Sequence, residues 1–272
     1  MPHDAFDHTV LLTTDLPATV KGFERLGFSV FDREDTGGSM ENRLVRFADG
    51  SFIELLAFRD PSKPDAHRFH SMLAKGNGWI DYAVATGAIA AAAEALARTG
   101  APCSGIKSIA KAGRDGREWR LQMLVAGLGV GDMALPFLTQ DLTPADWRVP
   151  RLPATIRQPF GVTGTAGVTV VTRDLAAVEP ALEAIFGAGR AVAPRFEGAA
   201  RASVHDFNGR WVEVVEPGPS ASALRDHLER RGGGLYEVTL AASSGGGEVL
   251  DASLTSGARI RLASEPMKGH AA

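Results

Sequence analysis

A single cysteine, Cys103, stands in 272 residues. No disulfide can therefore close within the chain, which suits a reducing compartment. Long apolar runs are also missing. The alanine-rich stretch 88–97 is broken by Glu94, and nothing approaches the ~18 uninterrupted apolar residues of a membrane span. Basic excess is absent too: 29 Lys and Arg against 32 Asp and Glu leave a formal charge of -3. Without clustered cations there is no general surface for phosphate backbones, and nucleic acid is not an expected partner. Met1-Pro2-His3-Asp4 has no apolar core of a signal peptide. Glycines follow Arg230-Arg231 at 232–234, but they precede a strand pattern and lack the G-x-G-x-x-G spacing of a dinucleotide site. These absences fit a cytoplasmic enzyme or binding protein, with a homodimer left open.

What is present is a repeat. Residues 7–16 lie over 166–175 without a gap, so that His8 falls over Gly167, an offset of 159. Glu24, Gly50 and Glu54 fall over Glu183, Gly209 and Glu213 at the same offset. Such spacing marks two copies of one plan. The first-strand His is kept in the first copy alone, while the carboxylate 46 positions on (54 − 8) is kept in both. One working site and one degenerate partner are expected. Between the copies, Pro144, Pro150, Pro153 and Pro159 block helix and central strand. The division is a first domain over 1–142, an extended linker over 143–159 and a second domain over 160–272.

A fainter repeat runs inside each copy. Residues 9–13 are rich in β-branched side chains; Asp15 then stands as an N-cap, Pro17 falls in the first turn, and Gly27 closes a helix. Strands at 28–31, 43–47 and 52–58 follow, the last two joined by the Asp49-Gly50 hairpin signal. Strand, helix and strands restart at 79–85, 88–99, 118–125 and 134–139. The second copy follows with 167–171, 175–186, 202–207 and 210–215. In its last unit, strands at 235–241 and 258–263 flank a polar, glycine-rich stretch where a helix is missing. The fold class is α+β, with four βαβββ units in tandem.

Alternation makes its own statement about the site. With a period of two, Phe6, His8, Val10 and Leu12 share one strand face, and Phe52, Glu54 and Leu56 share another. An ionisable side chain set among large apolar ones faces inward and must be paired, metal-bound or neutral.

The units, with Asp7-His8-Thr9-Val10, the strand 41–47, Asp49-Gly50-Ser51-Phe52-Ile53-Glu54-Leu55, Arg114-Asp115-Gly116 with Trp119, and Leu135-Pro136-Phe137-Leu138, resemble the vicinal oxygen chelate superfamily and its glyoxalase-like proteins. That resemblance implies two glyoxalase/bleomycin-resistance-like domains with curved mixed sheets. It further implies a divalent metal (Zn, Fe, Mn, Ni or Co) in the concavity, held from the first and last strands of each unit. Residue by residue, His8 matches the first-strand ligand and Glu54 the last-strand ligand. Asp81 takes the position usually held by a second His, and Phe137 falls near the fourth ligand and cannot coordinate.

Two functions then stand side by side. One is a metal-dependent lyase, isomerase or dioxygenase acting on a small oxygen-rich or aromatic metabolite, with His8, Glu54 and Asp81 as ligands and Glu54 and Asp81 in catalysis. The other is a metal-free binding or sequestering protein, in which Glu54 and His8 pair with each other. In either case Asn42, Arg43, Phe52, Trp79, Trp119 and Phe137 are the expected substrate contacts. His67 and His70 are read as a solvated face, His205 and Asp206 as surface-strand residues, and Glu213 with Glu237 as a carboxylate pair without a His. Cys103 has no His near it in sequence and is not read as a nucleophile.

Overall fold

The computed structural model describes residues 3–33, 38–63, 65–113, 116–127 and 133–264; Arg114 and Asp115 of the sequence motif lie outside them. Two curled mixed sheets carry the chain. The first, of eight strands, comprises β1 (His3–Leu12), β2 (Phe31–Asp32), β3 (Met40–Arg46), β4 (Phe52–Phe58), β5 (Gly78–Thr86), β6 (Lys107–Ala112), β7 (Glu118–Val125) and β8 (Phe137–Asp141). Their order across the sheet is β2-β3-β4-β1-β5-β8-β7-β6. The second, of six, comprises β9 (Gly164–Val171), β10 (Arg190–Val192), β11 (Ala199–Phe207), β12 (Arg210–Pro217), β13 (Gly234–Ala242) and β14 (Arg259–Ser264), in the order β10-β11-β12-β9-β13-β14. In both sheets the first strand lies parallel to the last strand of its unit and antiparallel to the first strand of the next: β4-β1-β5 and β12-β9-β13.

The helices are α1 (Leu16–Arg25), α2 (Ile89–Thr99), α3 (Ala145–Arg148), α4 (Leu175–Phe186) and α5 (Ser222–Arg231). The side chain of Asp15 accepts from the N–H of Ala18, and that of Asp174 from Ala177, so equivalent N-caps start α1 and α4. α2 ends at Gly100, whose φ of 76° lies in the left-handed region. Between β13 and β14 the chain makes turns and no helix, as the glycine-rich sequence there predicts. Among the described residues no helix is long and apolar enough to cross a membrane.

One core serves both halves. Phe6, Phe23 and Leu96 of the first join Val168, Leu182 and Phe207 of the second, and Phe6 meets Phe207 edge-on at 5.1 Å. A side chain at Gly22 would strike the carbonyl of Leu254, so α1 docks only because that position is bare. The Arg231 guanidinium donates to the carbonyls of Lys75, Gly76, Asn77 and Trp79. It ties the turn before β5 to α5, where the glycine-flanked arginines have a structural use.

Two side chains depart from the simple alternation. The β1–β5 register shifts between Phe6 and His8, and again between Val10 and Leu11. Each shift adds a residue to one strand and turns its neighbours over. Phe6 therefore joins the inter-half core while His8 and Val10 face the hollow. Trp79 likewise turns away from the hollow: its indole N–H donates to the carbonyl of Arg259 at 2.9 Å. The proline-rich stretch between the halves is not simply extended, since α3 forms within it and buries Arg148 and Val149 against the first sheet. His205 is fully buried rather than on a surface, its Nδ1 3.0 Å from the carbonyl of Gly187, whereas Asp206 is exposed beside Arg190.

Candidate functional site

Alternate residues of the first sheet line a cavity of about 490 Å³. β1 supplies His8 and Val10, β3 Met40 and Asn42, β4 Phe52, Glu54 and Leu56, and β7 Trp119, Leu121 and Met123. The segment between β4 and β5 closes over one side with His67, Arg68 and Phe69. That volume lies within the ~300–1,000 Å³ usual for small-molecule sites.

His8 and Glu54 come together as the alternation predicts. Nε2 of His8 lies 3.4 Å from Oε2 of Glu54, and Nδ1 lies 3.6 Å from Oδ1 of Asp7. The imidazole stacks on Phe52 with centroids 4.6 Å apart and takes the edge of Phe137 at 5.2 Å. Behind Asp7 stands Arg148, 3.1 Å away, which also reaches Asp141 at 2.9 Å. In front of Glu54 stands Arg33, 2.7 Å from Oε1, the same oxygen that accepts from the amide of Asn42. Cation and carboxylate thus alternate along one line, Arg148–Asp7–His8–Glu54–Arg33.

Burial opposes charge on every member of that line, and the neighbours outweigh it. Burial would raise Glu54, yet Arg33 and then His8 hold its carboxyl at about 2. Asp7 is held well below the usual carboxylate range against the same burial, by Arg148 and then His8. For His8, burial favours the neutral ring, but Asp7 and then Glu54 keep its pKa above the ordinary imidazole value. The line is stable in its charged form.

Asp81 does not join them. It lies opposite Val10, as Glu54 does from the other side, but its carboxylate is bound by Arg68, and Oδ1 accepts from the N–H of Tyr82 at 2.8 Å. Burial pushes its carboxyl up in spite of Arg68. The expected triad of His8, Glu54 and Asp81 is therefore split between two guanidinium groups. No group of three His, Cys, Asp or Glu able to hold a metal ion occurs among the described residues. The donor set does not fit a divalent cation: Glu54 and Asp81 already neutralise fixed cations, and Arg33 lies within hydrogen-bond distance of the oxygen an ion would need.

Of the expected substrate contacts, Asn42, Arg43, Phe52, Trp119 and Phe137 line the cavity. Arg43 stands at the rim, paired with Asp32 at 2.8 Å, and Trp79 is in the inter-half core. Arg33, Arg68 and Arg148 were not legible as site residues, because they meet Glu54, Asp81 and Asp7 across 21, 13 and 141 positions. His67 and His70 pack against Phe58 rather than forming a solvated face.

The second half carries the same positions in another arrangement. Glu213 and Glu237 lie opposite Thr169 just as Glu54 and Asp81 lie opposite Val10. One guanidinium, that of Arg195, bridges them, 2.8 Å from each. Arg259 and Arg261 add further bonds to Glu237 at 2.6 and 3.0 Å. A side chain at Gly167, the counterpart of His8, would strike the indole of Trp211, the counterpart of Phe52.

Comparison with known proteins accords with this geometry. A family model described as a glyoxalase-like domain matches residues 6–186. No curated protein matches the sequence. Among solved structures, a hypothetical protein from Staphylococcus aureus is similar at a TM-score of 0.68 and 12% identity, covering 94% of this chain and 98% of that one. A mutant of 4-hydroxymandelate synthase from Streptomyces coelicolor is similar at 0.61 and 16%, covering 90% and 72%. A fusion of a xylose isomerase-like TIM barrel with 4-hydroxyphenylpyruvate dioxygenase is similar at 0.51 and 14%, covering 90% of this chain and 38% of the fusion. Identities this low establish the fold alone.

Proposed function

The chain belongs to the glyoxalase-like domain family, within the vicinal oxygen chelate superfamily, and from that premise we propose that its first half binds a small, mostly apolar organic molecule in the concavity without a metal ion. One observation carries this reading: both carboxylates that would ligate an ion are held by guanidinium groups, Glu54 by Arg33 and Asp81 by Arg68. A metal-dependent lyase, isomerase or dioxygenase on this scaffold needs both arginines to withdraw and leave two buried carboxylates for the ion, which is costly. The apolar walls, Val10, Leu56, Met123 and Phe137 among them, supply the affinity. His8, Asn42 and Glu54 supply a fixed polar floor. The lone cysteine and the balanced charge support a cytoplasmic setting.

The test is a fluorescence titration with the uncharged probe N-phenyl-1-naphthylamine. Binding should be unchanged by EDTA and should weaken by at least about tenfold, ~1.4 kcal/mol, in Leu56→Trp, which fills the hollow. Loss of binding in EDTA would restore the metal-dependent reading. Indifference to Leu56→Trp would place the ligand elsewhere.

A further inference from the structure

Among the described residues, the carboxylates that line the cavity, Asp32, Glu41 and Glu54, are each engaged by a cation. Glu54 accepts from Arg33 and Asn42, Asp32 is paired with Arg43, and Glu41 lies 3.5 Å from Arg59. A ligand that brings an ammonium group would have to displace one of these cations. Donors, by contrast, are in surplus, because a guanidinium carries five N–H groups.

Arg68 shows the surplus most plainly. Its side chain uses Nη2 on Asp81 and has no other hydrogen-bond partner among the described residues. It lines the cavity and is 23% exposed. Its guanidinium lies over two aromatic rings, with Cζ 4.2 Å from the centroid of Phe69 and 5.3 Å from that of Phe137. A guanidinium held by a buried carboxylate and packed against two rings is a preorganised fork. Carboxylates and sulfonates match such a fork with charge-assisted bonds.

We propose that the cavity's ligand is an organic anion, an apolar ring or chain ending in a carboxylate-type group that the remaining N–H groups of Arg68 receive. This rests on the small-molecule reading of the same cavity and names the chemistry of its occupant. Bulk attraction cannot produce the preference, since the chain's formal charge is -3. Arg68 is then the residue that sets specificity, and Asp81 positions it.

Two probes that differ by one anionic group decide the matter: 1-anilinonaphthalene-8-sulfonate and the uncharged N-phenyl-1-naphthylamine. The wild-type chain should bind the sulfonate more tightly by about tenfold, a charge-assisted pair's ~1.4 kcal/mol. In Arg68→Met with Asp81→Asn, which removes the paired charges together, the ratio of sulfonate to neutral-probe affinity measured in the same variant should fall about tenfold, to near one. Arg68→Lys keeps a cation for Asp81, loses the planar fork, and should lower the sulfonate-to-neutral affinity ratio in the same direction. Equal affinities in the wild type, or a sulfonate preference indifferent to both Arg68 variants, would overturn the proposal. If Leu56→Trp abolishes neutral-probe binding and the sulfonate has no advantage, the cavity reading stands and the anion inference falls. If Leu56→Trp affects neither probe, both fall.

Discussion

The two halves place carboxylates at the same register positions and do opposite things with the space in front of them. In the first, two arginines approach Glu54 and Asp81 from separate segments, and an imidazole stacked on Phe52 leaves a hollow. In the second, Arg195 alone spans Glu213 and Glu237, and the indole of Trp211 occupies the place of a side chain at Gly167. Strand order does not decide which half has room for a ligand. The size of the first-strand side chain does, together with whether one guanidinium spans both carboxylates.

The contrast breaks most sharply at the arginines. Arg195→Met leaves the buried Glu213 with Thr169 but no cation among the described residues, while Glu237 keeps Arg259 and Arg261. Stability should fall by about 3–5 kcal/mol, the usual cost of breaking a buried pair, as read by urea denaturation. Arg33→Met should cost less, because Glu54 keeps His8 and Asn42. Equal losses would remove the distinction between the bridged half and the hollow one. Gly167→Ala comes next: its methyl meets the Trp211 ring and should cost about 1–3 kcal/mol as overpacking. Trp211→Ala in the same chain should recover part of that loss. For ligand binding the asymmetry reverses. Glu54→Ala should weaken the neutral probe by about tenfold, ~1.4 kcal/mol, whereas Glu213→Ala should leave its affinity within about twofold once the folded fraction is matched.

The smallest effect is in pH. Glu54 is depressed from 4.5 to about 2, and Asp7 and Glu237 are depressed too. Their contributions are present above the ordinary carboxylate values and disappear as pH falls through the folded ones, so both halves weaken in acid. His8 is raised above 6.5. Its contribution is complete below 6.5 and is lost as pH rises through the folded value, and the second half has no counterpart. Thermal melts of His8→Asn should keep the acid limb and lose the alkaline decline. An alkaline decline that survives the substitution would detach it from His8.

The sequence was most legible where the physics is local. Alternation placed Glu54 with Leu56 and His8 with Val10 on the hollow's face, the Asp15 cap located α1, and the constant offset aligned Glu54 with Glu213. What it concealed depends on distant partners or on single-residue shifts. Bulges turned Phe6 and Trp79 into the inter-half core, and no periodic pattern announces an added residue in one strand. The Arg33, Arg68 and Arg148 pairings close across the chain, so composition showed charges without showing partners. α5 escaped notice because its apolar content is low and its stripe is narrow, with Leu224 and Leu228 as its buried residues.

The most direct test is elemental analysis of the chain purified without added metal, paired with calorimetric titration of Mn, Fe, Co, Ni and Zn. If guanidinium groups hold the carboxylates, divalent metal should stay far below one ion per chain, and the titrations should show no saturable site that His8→Ala removes. One ion per chain, lost in both His8→Ala and Asp81→Ala, would contradict the account and return the site to metal chemistry.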